Sequence, residues 1–73
     1  MTERVRRMTA SQLERILARH GFQRVAQRGS HRKWRHPTKR LQVIVPAHAG
    51  RTLPVGTLVH ILKGAEIPRD EWT

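Results

Sequence analysis

Apolar residues along this chain recur first at helical spacing, then in short alternating runs, then at helical spacing again. In TASQLERILARH, residues 9–20, Leu13, Ile16 and Leu17 stand three and four positions apart, which predicts a helix with one apolar face. Thr9 with Gln12 forms a capping box at its start, Met8 is placed to staple onto Leu13, and His20 followed by Gly21 supplies a left-handed stop. FQRVAQR, SHRKWRH and RLQVIV then read as three strands. Gly29 and the Pro37-Thr38-Lys39 turn separate them, and both connections are short enough for hairpins. In the third strand Leu41, Val43 and Val45 alternate with Gln42 and Ile44, so the first set faces the core. Phe22 and Val25 have opposite parity, so either one belongs to the helix cap or a bulge intervenes. Pro46 is expected to end the sheet and AHAGRTL to form a loop. A second helix begins near Pro54 and runs through GTLVHILKGA with Leu58, Ile61 and Leu62 on one face, Gly64 weakening its end. IPRDEW is an acidic tail with one more helical turn and either Ile67 or Trp72 packed back.

The predicted order is helix, three strands, helix: an α+β fold in which two helices cover one face of an antiparallel sheet. The other face is left to solvent or a partner. Residues 1–73 make a single domain without repeats, small enough that its own core leaves stability marginal and a partner or oligomer is expected. The absence of cysteine excludes disulfides, thiolate metal sites and cysteine nucleophiles, and suits a reducing cytoplasm. No apolar run is long enough to span a bilayer, and MTERVRRM lacks the apolar stretch of a signal peptide. Charge changes the picture most. Fifteen Lys and Arg oppose five acids, for a formal net charge of +10, and no carboxylate occurs between Arg15 and Ala65. Such a field draws polyanions, with nucleic acid the leading partner and an acidic protein the next.

The segment RGSHRKWRHP concentrates the candidate chemistry. On a pleated strand His31, Lys33 and Arg35 share one side, while Ser30, Arg32, Trp34 and His36 share the other. Trp34 is the one large apolar residue there, so its side is expected to face the helices, leaving His31, Lys33 and Arg35 on the open face. A neutral reading makes His31 one more polar residue on a wet sheet. Ser30 and His31 diverge as strand neighbours, which argues against a serine nucleophile with its base. His31 and His36 differ in parity and lack nearby acids, so zinc is poorly supported, and a magnesium nuclease would want converging carboxylates. His20, His48 and His60 read most simply as a helix-end, a loop and a helix-surface residue. What survives is chemistry that needs imidazole and cations alone. RNA carries its own nucleophile, the 2′-hydroxyl, whose proton a histidine can take while Lys or Arg stabilises the phosphate. DNA lacks that hydroxyl and would be bound without being cut.

The stretch from Met8 onward resembles the HicA (YcfA-like) toxins of bacterial and archaeal toxin-antitoxin systems. The resemblance rests on a short helix ending in HGF, on QRGSHRKWRHP, on a strand ending VIVPAH and on LPVGTLVHILKGAEI. It implies a fold similar to a double-stranded-RNA-binding domain and an mRNA interferase, an endoribonuclease that needs no metal or other cofactor. The family's catalytic histidine falls on His31, with Gly29 and Ser30 as its preceding glycine and serine. Arg28, Arg32, Lys33 and Arg35 then join Gly29 and Ser30 as RNA-binding or phosphate-stabilising residues. The implied partners are mRNA and a HicB-type antitoxin that covers the active surface. The chain departs from the family pattern at Arg32, where a second histidine is common, and at Glu66, where a glycine is common near the end of the second helix. Residues 1–8 read as a flexible basic extension. The alternatives are a non-catalytic RNA-binding module of the same fold and an interaction protein whose positive face docks an acidic partner.

Overall fold

The computed structural model describes residues 5–73. Its elements are α1 (Ala10–Arg19), β1 (Gln23–Arg28), β2 (His31–Arg35), β3 (Gln42–Pro46), α2 (Val55–Gly64) and a 3-10 turn (Arg69–Glu71). The three strands form an antiparallel meander in the order β1-β2-β3. The α-β-β-β-α order is the double-stranded-RNA-binding-domain-like architecture expected from the sequence.

Helix α1 starts as its sequence dictates. Thr9 Oγ1 accepts from the Gln12 amide at 3.2 Å, and Gln12 Oε1 accepts from the Thr9 amide at 2.9 Å, which satisfies two otherwise orphaned donors. Both helices end in the same way. After α1, the amides of Gly21 and Phe22 donate to Ala18 and Leu17 (3.1 and 3.0 Å), and after α2 those of Glu66 and Ile67 donate to Lys63 and Leu62 (both 3.0 Å). This pair of bonds is a Schellman motif, whose key residue is left-handed. Gly21 takes it at φ +88°, and a Cβ there would lie only 2.8 Å from His36 Nε2, so glycine is required twice over. Glu66 takes the same role at φ +56°. The left-handed turn expected of a family glycine is therefore kept by a residue with a side chain, at a steric cost of roughly 1 kcal/mol.

The parity conflict between Phe22 and Val25 resolves in both permitted ways. Phe22 is buried and belongs to the α1 cap, while the β1–β2 register shifts between Arg24 and Ala26, leaving Val25 at the bulge and 51% exposed. Pro46 ends the sheet, as expected. It is the last residue of β3, paired opposite His31. An edge strand tolerates proline because one of its sides needs no ladder donor.

The core joins Leu13, Ile16 and Leu17 of α1, Val43 and Val45 of β3, and Leu58, Ile61 and Leu62 of α2. The tail contributes both of its candidates, since Ile67 and Trp72 are both buried and Trp72 Nε1 donates to the Ile67 carbonyl at 3.0 Å. Met8 is also fully buried. The Arg6 amide donates to Trp72 O at 2.6 Å, the Leu53 amide donates to Met8 O at 2.7 Å, and Thr9 bridges Thr52. Residues 5–8 of the stretch expected to be a flexible extension are therefore tied to the body, because the Met8 side chain has core to fill. Residues 1–4 lie outside the described part. Among the described residues, no helix is long and apolar enough to cross a membrane.

Candidate functional site

With the helices packed over the Val43 and Val45 side of the sheet, the opposite face is open, and register decides which residues share it. His31 stands between Arg28 of β1 and Pro46 of β3, and Lys33 stands between Ala26 and Ile44. These neighbours line a shallow groove of about 300 Å³ bounded by Ala26, Gln27, Arg28, His31, Lys33 and Ile44. Directly opposed side chains in a sheet have Cβ atoms about 5 Å apart. Arg28, His31 and Lys33 thus converge on one surface, where the imidazole is exposed and no carboxylate is present. Arg35 lies on the same strand face but further along it, between Gln23 and Gln42.

The turn before His31 is closed by two residues, Gly29 and Ser30. Gly29 has φ +58° at the first of the two central positions, the place where a type II′ hairpin turn takes glycine. Gln27 Nε2 donates to the Gly29 carbonyl at 3.2 Å, and the Ser30 carbonyl accepts from the Ala47 amide at 2.6 Å. His31 is therefore delivered to the sheet end by a turn fixed from both sides.

Arg32 is not brought into this group. It lies on the helix side, where Arg32 Nη1 donates to Glu14 Oε1 at 2.6 Å. Trp34, on the same side as expected, is half-buried and donates from Nε1 to Glu14 Oε2 at 2.7 Å. One carboxylate, only 8% exposed, thus ties α1 to alternate residues of β2. Sequence reasoning missed Glu14. Its position four after Ala10 and three before Leu17 puts it inside the apolar stripe of α1, and that was the available signal.

The remaining histidines are distributed around the fold. His20, at the C-cap of α1, donates from Nε2 to Glu71 Oε2, while Arg19 Nη2 donates to Glu71 Oε1 at 2.6 Å. The Arg19 guanidinium, followed by the His20 imidazole, holds the Glu71 carboxyl below its ordinary range against a small opposing effect of burial. His36 Nδ1 accepts from the amides of Thr38 (3.3 Å) and Lys39 (3.1 Å), capping the β2–β3 turn, and its ring meets Phe22 edge to face. His60 is exposed on α2 beside Gln42 and Ile44. His48 lies in the loop after β3, as the sequence suggests. Among the described residues, no three His, Cys, Asp or Glu side chains are grouped so as to hold a metal ion.

Comparison with known families matches the chain to the model of the HicA toxin of bacterial toxin-antitoxin systems over residues 10–67. No curated protein gives a significant match. The matched span runs from the first residue of α1 through all three strands and α2 to the buried Ile67, and so contains the core, the open face and the His31 turn. The chain belongs to the HicA toxin family.

Proposed function

We propose that the chain is a metal-independent endoribonuclease that cuts mRNA with His31 and is held inactive by a HicB-type antitoxin seated over the open sheet face. The observation that carries this reading is the convergence of exposed His31 with Arg28 and Lys33 on a groove without carboxylates. Such a set matches what RNA self-cleavage requires. His31 takes the proton of the 2′-hydroxyl, and the oxygen attacks the adjacent phosphorus. Lys33 and Arg28 neutralise the charge growing on the phosphoryl oxygens, with Arg35 holding backbone further along the strand. Gly29 and Ser30 position the histidine through their turn. Arg32 is left out of the phosphate-binding set because Glu14 already occupies it. Membership of a toxin family supports an intracellular target, and the cytoplasm is where mRNA and antitoxin meet.

The test separates cleavage from binding. His31→Ala should abolish cutting of RNA in excess EDTA while keeping most of the affinity, because affinity is spread over many cations. The parental protein should leave 2′,3′-cyclic or 3′-phosphate ends. RNA bound by both proteins and cut by neither would instead establish the non-catalytic RNA-binding module.

A further inference from the structure

We infer that His48 is the second proton-transfer group of the same site, protonating the leaving 5′-oxygen while His31 takes the 2′ proton; this inference rests on the ribonuclease reading above. In-line displacement puts the attacking and leaving oxygens on opposite sides of phosphorus. A single imidazole on one side serves one of them, so a donor is needed on the other.

Three observations converge on His48. The first is continuity of surface: Pro46 is the cross-strand neighbour of His31, and it also lines the adjoining cleft with His48, Arg51 and Thr52. Pro46 thus links the strand position of His31 to the cleft that His48 lines, and the proposed place of the phosphate is over Pro46, between the two. Two residues of chain beyond a directly opposed partner keep the His48 Cα within about 13 Å of the His31 Cα, a span that two inward-reaching imidazoles and one phosphodiester fill. The second is rigidity. The Ala47 amide is bonded to Ser30 O, inside the turn that presents His31, and the Arg51 amide donates to His48 O at 3.1 Å. The far end of the loop is held by the Thr9–Thr52 bridge and the Leu53–Met8 bond. The third is availability. His20 is engaged with Glu71, His36 has its Nδ1 committed to a turn at the opposite end of β2, and His60 sits on α2. The His48 ring is exposed and makes no hydrogen bond among the described residues.

The step balances. The 2′-oxygen bonds to phosphorus and gives its proton to His31, the P–O5′ bond breaks, and the departing 5′-oxygen receives a proton from the His48 imidazolium. The products are a 2′,3′-cyclic phosphate and a 5′-hydroxyl, with Arg51 beside His48 drawing the downstream phosphate.

The experiment compares ordinary RNA with the same strand carrying sulfur in place of the bridging 5′-oxygen at the cut linkage, since a thiolate leaves without needing a proton. His48→Ala and His48→Gln should each cut ordinary RNA at least about 100-fold more slowly than the parent, yet cut the sulfur-bridged strand at close to the parental rate. His31→Ala should be slow on both, and His60→Ala should match the parent. His48 variants that cut ordinary RNA normally, or that are equally slow on both strands, would overturn the inference and leave the His31 reading standing. A parental protein that cuts neither strand would overturn both.

Discussion

Glu14 is a charged residue in an apolar stripe, and the cost of placing it there is offset by two strong acceptors' worth of bonding to Arg32 and Trp34. Removing an acceptor from a largely buried pair leaves the cation unpaired, which is worse than never having had the pair. Glu14→Ala should therefore lower stability by about 2–3 kcal/mol, read as a lower urea midpoint with unchanged slope. Glu14→Gln, which keeps one acceptor for Trp34 but loses the charge, should fall between Glu14→Ala and the parent. The residue scale is also where the sequence was least legible. The carboxylate-free span from Arg15 to Ala65 drew attention to the cations, and the acid that organises β2 lies one position outside it. Its partners come from a strand that local periodicity cannot bring next to α1. The parity of β2 nonetheless separated Arg32 and Trp34 from His31, Lys33 and Arg35 correctly, because a period of two survives any packing.

At the scale of elements, boundaries followed local chemistry wherever that chemistry was self-contained. The capping box of α1, the glycine stop at Gly21 and the apolar face of α2 needed no knowledge of distant residues. The bulge at Val25 and the inclusion of Pro46 in β3 depend on pairing across strands, which no single segment encodes. The C-terminal tail is a case between the two, since its apolar residues announced that something would pack, and the structure buries both. What holds the tail from the outside is Glu71, bonded to Arg19 and His20 at the end of α1. Its lowered pKa means that the folded state prefers the carboxylate. The stabilisation is present above the ordinary carboxylate value of about 4.3 and is lost as pH falls through the lower folded value. Tryptophan fluorescence melts should therefore show parental stability dropping below about pH 4. Glu71→Gln should be less stable at neutral pH and lack this part of the acid-side decline, although both proteins keep the contributions of other carboxylates.

On the scale of the whole molecule, one face of a three-stranded sheet is spent on a core and the other is left open. The charge of +10 is arranged accordingly. Glu14 and Glu71 are engaged with α1 and β2 or with the end of α1, and the remaining described acids, Glu66 and Asp70, follow α2. None stands on the His31 face. On the proposed function, a surface so one-sided would steer RNA toward the groove and would also suit an antitoxin that presents acids to it. Apolar Ile44 beside Lys33 and exposed Val25 at the bulge give such a partner something to bury. In the proposed reaction RNA supplies the nucleophile and the protein supplies only imidazole and cations. The most direct measurement is cleavage, in excess EDTA, of an RNA in which the nucleotide before the mapped cut carries a single 2′-deoxy substitution. Cutting at that linkage should disappear while binding and cutting elsewhere persist; cleavage at the substituted linkage at an undiminished rate would mean that the 2′-hydroxyl is not the nucleophile.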